Sequence, residues 1–436
     1  MMFKQYDAYQ DSNNLELPIV PVGWKVDRIK YEIKLLTGYP FNSSKYTEEG
    51  IKLVRGINVK ESILDWKDTA YWPEVTPDLQ RYLLKNGDLL IGMDGSKVGK
   101  NFCQVSEQDL PLLLLQRVAR LRVKNLLNAR YLYWNLASKR FLNWINRSKT
   151  DPMIPHMAPK DINDFVIAYP STEEQSRIAL FLDQKTSEID QAIAIKEQQI
   201  SLLNERKQIV IQKAVTQGLD PNVPMKDSGL NGVGNIPQDW HILKFKYLAK
   251  VRYGLGQPPK QLDNGLKIIR ATNVERGKIV EKGMLYIDPN DIPWDRNPTL
   301  NKDEIIVVRS GAYTGDSAIV TEEYAGCIAG YDMVAAPFNC DPKFLSIVLL
   351  SHYVLYEQIY LLRMRSAQPH LNAEELNELQ IVVPPINQQR LIANYIEQVE
   401  SDLDQAISLT KRQIEKLKEY KTILINDAVT GKIKVA

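Results

Sequence analysis

PSTEEQSRIALFLDQKTSEIDQAIAIKEQQISLLNERKQIVIQKAVTQ, residues 170–217, returns 214 residues later as PPINQQRLIANYIEQVESDLDQAISLTKRQIEKLKEYKTILINDAVTG, residues 384–431. The alignment needs no gap, and 20 of its 48 pairs are identical. Pro170 meets Pro384, Gln175 meets Gln389, Asp190-Gln191-Ala192-Ile193 meets Asp404-Gln405-Ala406-Ile407, and Ala214-Val215-Thr216 meets Ala428-Val429-Thr430. Self-similarity at one fixed offset marks an internal duplication.

Both copies read as a single long helix. A heptad on the first puts Leu182, Ile189, Lys196, Leu203 and Val210 at a, with Thr186, Ile193, Ile200, Lys207 and Ala214 at d. The same register on the second gives Ile396, Leu403, Thr410, Leu417 and Leu424 at a, with Glu400, Ile407, Ile414, Lys421 and Ala428 at d. Seven of the ten positions are apolar in each copy, and the three interruptions fall at matching places. Shared breaks argue for a shared packing arrangement. A helix of about 45 residues is roughly 65–70 Å long, too long to be enclosed by a small domain. Its natural partner is its twin, and the seam is worth about 20–40 kcal/mol gross before entropy is subtracted. Two such copies, each with a compact unit at its start, pack antiparallel about a pseudo-two-fold axis.

The globular parts repeat as well. PVGWKVDRIKY (21–31) returns as PQDWHILKFKY (237–247), matching Trp24 with Trp240 and Tyr31 with Tyr247. Gly38 answers Gly254. IKLVRGINV (51–59) answers LKIIRATNV (266–274), each an apolar run ending in polar residues, which reads as a strand entering a loop. KNGDLLIGMDGSKVGK (85–100) answers NKDEIIVVRSGAYTGD (301–316), a turn, a strand and a loop rich in Gly and Ser. Around 148–170 and 365–385, His156 falls with His370 ahead of a short helix and a strand. The expected organisation is a loose polar arm (1–17), a globular domain (18–169), a long helix (170–217), a linker dense in Gly, Pro, Asn and Asp (218–236), a second domain (237–383) and a C-terminal long helix (384–436). The fold class is α+β: two mixed α/β domains, each followed by a long helix, with the helices forming an antiparallel coiled coil of pseudo-two-fold symmetry. The two domains agree at scaffold positions and differ in their loops, as one scaffold carrying two recognition surfaces would.

The net charge of +2 does not advertise nucleic acid, so any basic surface must be local. Cys103, Cys327 and Cys340 are scattered, with no CxxC, which suits a reducing compartment and argues against disulfides or a zinc site. The polar start is not a signal peptide, and no apolar run reaches 18 residues, so a cytoplasmic chain without a membrane span is expected. Catalytic signatures are missing. GSKVGKN (95–101) is one residue short of a phosphate loop and has Asn101 where Ser or Thr is needed. Asn297-Pro298-Thr299 fails as an (N/D)PP(Y/F) run, and His156, His241, His352 and His370 form no metal spacing. The chain therefore reads as a binding and scaffold protein.

Together, the paired PxxxEQ/PPxxQQ-to-AVTxG helices, the two P-x-x-W starts and the two Gly/Ser loops resemble the specificity subunit of a type I restriction-modification system. The resemblance covers nearly the whole chain. It departs at Asp94-Gly95-Ser96, where Arg309-Ser310-Gly311 follows the family's loop pattern better. The resemblance implies that each globular unit is a target recognition domain reading one half of a bipartite site on double-stranded DNA. It implies that the helices set the gap and dock two methyltransferase subunits that bind S-adenosylmethionine. Cleavage would belong to restriction/motor subunits using ATP and Mg, and this chain itself would carry no cofactor and be non-catalytic. DNA contact needs cations for phosphates and forked or amide side chains for base edges. The candidates are Arg55, Asn58, Lys97, Lys100 and Lys149 in the first half, and Arg270, Asn273, Arg309, Ser310, Tyr313, Arg363 and Arg365 in the second. Arg55 and Arg270, being repeated, read equally as scaffold salt-bridge formers, and His156 and His370 read as structural. The alternative of another class is a DNA-free coiled-coil adaptor whose two domains bind proteins.

Overall fold

The computed structural model describes residues 4–148, 155–363 and 369–435. The chain forms two compact units: unit 1 holds Met1–Lys196 with Arg412–Ala436, and unit 2 holds Glu197–Lys411. Each unit therefore contains a globular domain, the first half of the helix that follows it and the last half of the other helix.

The helices are Thr172–Gln217 and Ile386–Val429. The first opens with Glu173 and Glu174 in its first turn, where carboxylates complement the exposed amides. The second ends just before Gly431 (φ +73°), and the first just before Gly218 (φ +76°), so both stop at a left-handed glycine. A side chain on either glycine would strike an aromatic wall. In unit 1, a Cβ on Gly431 would lie 2.4 Å from Pro21 and 3.4 Å from the Trp24 indole. In unit 2, a Cβ on Gly218 would lie 3.1 Å from the Trp240 indole. The repeated tryptophan and the repeated helix end are thus two sides of one contact, made once in each unit.

All twenty seam positions of the heptad register are buried or half-buried. In unit 1, Asp190 takes Lys421 at 2.7 Å and Lys196 donates to Gln413 at 2.6 Å, so the partner segment retreats as the first helix advances. In unit 2, Lys207 meets Asp404 at 3.1 Å and Glu400 at 3.2 Å. Asp404 and Lys421 are the 214-offset duplicates of Asp190 and Lys207. The segments are antiparallel in both units, and the seam's polar interruptions pair reciprocally. Burial works against the Lys207 charge, but Glu400 and Asp404 outweigh it and raise its pKa.

The globular domains share one topology. In unit 1 an antiparallel sheet runs in the order Ile33–Thr37, Val118–Val123, Leu89–Gly92, Phe102–Gln104; in unit 2 the order is Ala249–Tyr253, Met333–Pro337, Ile305–Val307, Ser317–Ile319. A three-stranded sheet sits beside each, including a parallel pair: Ile51–Val54 with Leu112–Leu114, and Gln261–Ile269 with Ile328–Ala329. Gly38 and Gly254 permit a close crossing, since a Cβ would fall 2.1 Å from the Leu115 carbonyl or 2.0 Å from that of Gly330. The core of unit 1 gathers Trp24, Tyr131, Phe141, Leu182, Leu424 and Val429; that of unit 2 gathers Trp240, Phe245, Phe344, Val215 and Ile396. No single helix among the described residues is long and apolar enough to cross a membrane; the bent apolar pair Pro342–Leu349 and His352–Leu362 supplies the unit 2 core with Phe344, Leu345 and Val354.

Two expectations are corrected. The N-terminal segment is not a loose arm. Tyr9–Asp11 pairs with Ile19–Pro21, Tyr6 stacks edge-on at 5.7 Å from Trp24, and its hydroxyl donates to Glu174 at 2.6 Å. The segment 218–236 is more than a linker, because Met225–Asp227 pairs with Asn235–Pro237 in the equivalent hairpin. The repeat therefore starts before each tryptophan, in three-residue strands too short and polar to leave a periodic signal.

Gln175 and Gln389 explain the repeated glutamine. Gln175 is buried; it accepts from the Asn128 amide and donates to the Leu126 and Pro170 carbonyls. Gln389 accepts from the Asp341 amide and donates to the Pro384 carbonyl, both at 2.8 Å. Asn128 and Asp341 cap equivalent short helices, so each glutamine clasps its domain to the base of its long helix. Replacing Gln389 with Leu strands a buried amide and a buried carbonyl. It is expected to lower unit 2 stability by about 2–4 kcal/mol, read as a drop in the urea midpoint; an unchanged midpoint would dismiss the clasp.

Candidate nucleic-acid interface

In each unit a glycine-bounded turn leaves the four-stranded sheet and is stitched to the segment carrying the repeated histidine. In unit 1 the Gly95 amide donates to Pro155 at 3.1 Å and the Met157 amide to Met93 at 2.8 Å. In unit 2 the Gly311 amide donates to Pro369 at 3.2 Å and the Leu371 amide to Arg309 at 2.8 Å. The bridges Asp94–His156 and Ser310–His370 are the centre of the same stitch. Gly95, Gly99, Gly311 and Gly315 all have φ between +85° and +97°, which only glycine adopts without strain. A Cβ on Gly315 would also fall 2.6 Å from Ile359. The glycines of GSKVG and GAYTG therefore serve a tight turn laid against a helix, not a phosphate cradle. Val98 and Thr314 are buried and anchor the turns, while Lys97 and Tyr313 stand exposed at equivalent tips. Lys100 is exposed too, and Ser310 is half-buried.

The Arg55/Asn58 and Arg270/Asn273 pairs lie on the neighbouring loop, and here the structure revises the expectation. Asn58 is buried and gives its amide hydrogens to the Asp65 and Asp68 carbonyls, while its oxygen accepts from the Arg55 amide. Asn273 does the same with Val280, Lys282 and Arg270. Both asparagines are spent on holding a loop and are withdrawn as base readers. Arg55 is tied to Asp68 at 2.8 Å, a scaffold ion pair, whereas Arg270 donates from one terminal nitrogen to the Gly283 carbonyl. Lys149 and Arg365 lie outside the described residues, and of Arg363 only the backbone, ending the helix Tyr360–Arg363, is described.

The chemistry at the base of the two turns is inverted. In unit 1 the acid is on the turn: Asp94 bonds the His156 ring and pairs with Arg117 at 2.9 Å. Arg117 sits at φ +71°, just before its strand, with a side chain 71% exposed. In unit 2 the cation is on the turn, as Arg309, and the acid precedes the strand, as Asp332. The Arg309 amide donates to Asp332 Oδ1 at 3.2 Å, and its guanidinium lies over the rings of Tyr253 (4.7 Å) and Tyr331 (4.3 Å). Burial pushes the Asp332 carboxyl up to about 6, with the amide and charge of Arg309 pulling the other way. Arg117, Tyr253, Tyr331 and Asp332 escaped the sequence reading. The signal available was position: Tyr253 adjoins the repeated Gly254, and Arg117 interrupts an apolar run.

Comparison with known proteins places the chain. The model of the type I restriction modification DNA specificity domain matches residues 21–205 and again 238–419. The MjaVIII type I restriction enzyme specificity subunit of Methanocaldococcus jannaschii is 25% identical over 100% of this chain and 98% of its own. The EcoBI specificity subunit of Escherichia coli is 27% identical over 84% of this chain and 77% of its own. Among solved structures, a chain from a study of type I R-M complex assembly and conformational transition superposes with TM-score 0.75 at 15% identity, over 95% of this chain and 99% of that one. The crystal structure of the HsdS subunit from Thermoanaerobacter tengcongensis gives 0.57 at 16%, over 95% and 98%. These likenesses establish the fold.

The Asp332 environment has a measurable sign. Its folded pKa, about 6, exceeds the ordinary 3.8, so the folded state holds the proton more tightly. Its stabilising effect is full below about pH 4 and is lost as pH rises through 6, a change of about 3 kcal/mol. Asp332→Asn is expected to gain that much relative to the parent between pH 4 and 7.5 in urea unfolding of unit 2. Parallel pH profiles for the two proteins would contradict the burial argument.

Proposed function

Since the chain belongs to the type I restriction-modification DNA specificity family, we propose that each unit reads one half of a bipartite site on double-stranded DNA. The observation that carries this is one scaffold presenting two unlike surfaces. Lys97 stands where the second unit has Tyr313, Asp94 where it has Ser310, and Met93 where it has Arg309. A reader of two different half-sites needs that combination: common architecture to position the turns, and different side chains to touch the bases. Lys97, Lys100, Arg117 and Lys149 would serve the first half-site through phosphates and base edges. Arg270, Arg309, Ser310, Tyr313, Arg363 and Arg365 would serve the second. Arg55, paired with Asp68 and only 21% exposed, stays a scaffold group, whereas Arg117, though paired with Asp94, keeps 71% of its side chain exposed.

The helix pair is the ruler in this reading. The antiparallel register within each unit supports a separation set by helix length. The exposed faces of the helices would dock two methyltransferase subunits, which supply S-adenosylmethionine, and restriction/motor subunits would bring ATP and Mg. The chain itself would be non-catalytic and would work in the cytoplasm. Its cations would release counterions from DNA, so binding would weaken steeply with salt.

Selection from a random duplex library, with the methyltransferase subunits present, is expected to return a split motif with a constant gap. Absence of enrichment at any salt below physiological would favour a protein-binding adaptor instead. Inserting four residues in the first helix adds about 6 Å, against about 3.4 Å per base pair. The gap is then expected to lengthen by one or two base pairs with both half-sites kept; an unchanged gap would end the ruler reading.

A further inference from the structure

We propose that Arg309 is the guanine reader of the second half-site, held ready by a tyrosine clamp that the first unit lacks. This rests on the DNA-reading assignment above and names the base and the residue. The guanidinium carbon lies 4.7 Å from the ring centroid of Tyr253, on one strand end, and 4.3 Å from that of Tyr331, on the loop before the next. The Tyr253 ring is itself fixed, because its hydroxyl accepts from the Ala373 amide at 2.9 Å. The main chain is pinned by the Arg309 amide on buried Asp332. Gly330 lets the Tyr331 loop lie against Arg270, whose Cγ would be 3.2 Å from a Cβ there.

Among the described residues the guanidinium has no acceptor. Its Nε is buried without a hydrogen bond, and no described residue accepts a hydrogen bond from its terminal nitrogens. Two aromatic rings within cation–π reach restrain the group while leaving its N–H donors unused. A fixed, planar pair of N–H donors matches two acceptors side by side, as guanine O6 and N7 present in the major groove. A phosphate also offers two oxygens to such a fork, so loss of one base preference, rather than uniform weakening, is what separates the two partners. Ser310 and exposed Tyr313 on the same turn bring further donors alongside. In unit 1 the corresponding residue is Met93, which is buried, and the turn carries Asp94 bound to His156 and Arg117. The arginine-guanine pair therefore belongs to one half-site alone.

The test uses the whole chain assembled with methyltransferase subunits, selected against random duplexes, comparing the parent with Arg309→Ala and Tyr331→Leu. The parent is expected to show a guanine column in the second half-site. Arg309→Ala is expected to lower preference in that column by about 5- to 150-fold, with the first half-site unchanged. Tyr331→Leu, which keeps the arginine but removes one of its two rings, is expected to weaken the same column less. If Arg309→Ala loses the whole second half-site through misfolding, Tyr331→Leu carries the test. A parent without any split motif would refute the DNA reading itself. A split motif whose columns survive both substitutions, or a uniform weakening with a shallower salt dependence, would overturn the guanine assignment and leave the DNA reading standing.

Discussion

Each long helix ends by pressing a left-handed glycine against the indole of a tryptophan at the start of a globular domain, Gly431 on Trp24 in unit 1 and Gly218 on Trp240 in unit 2. Much else follows from that contact. The glycine is needed twice over, for its positive φ and for the space that a Cβ would take. The Ala-Val-Thr preceding it is buried in both copies, so the helix end is a core element of the unit it reaches. Unit 1 is consequently built from both ends of the chain, and its amino-terminal segment is held between Trp24, Glu174 and Gly431.

The seam between the helices is kept in register by its polar interruptions as much as by its apolar positions. Exposed ion pairs contribute little stability individually, about 0.2–1 kcal/mol. Their value here lies in reciprocity. A lysine at d finds an aspartate on the opposing segment in each unit, and a slip of one turn would set both lysines against the wrong neighbours. The apolar positions, Leu182, Ile189, Ile396, Ile407, Ile414 and Leu424, supply the burial. Buried glutamines then fasten the first turn of each helix to its own domain, so every helix is anchored at its base and at its tip.

On this frame the two turn surfaces diverge where divergence costs least. The turns between Gly95 and Gly99, and between Gly311 and Gly315, keep their glycines and their stitch to the histidine segment. Their tips carry different side chains. The inversion of charge between Asp94–Arg117 and Arg309–Asp332 shows how far the chemistry has moved while the backbone path stays alike. In unit 1 the acid and the base satisfy each other. In unit 2 the arginine lies over two tyrosine rings with no acceptor among the described residues, and the acid is buried and partly protonated near pH 6.

Much of this was legible in the residues themselves. The duplication, the two long helices, their antiparallel seam and the heptad register at every position could be read from residues 170–217 and 384–431, because periodicity is carried by residues near one another in the chain; the family resemblance drew also on the P-x-x-W starts and the Gly/Ser loops. The three-residue strands of the terminal hairpin and of residues 225–237 were invisible, being too short and polar to show a period. The fate of the polar candidates was decided by tertiary structure alone. Asn58 and Asn273 looked like base readers until carbonyls from 65–68 and 280–282 folded over to consume their amides. Arg309 became distinctive only when Tyr253 and Tyr331, far apart in sequence, came within 4.7 Å of its guanidinium. A polar side chain advertises what it can bond to. Whether it is free to do so depends on partners that the fold brings from elsewhere.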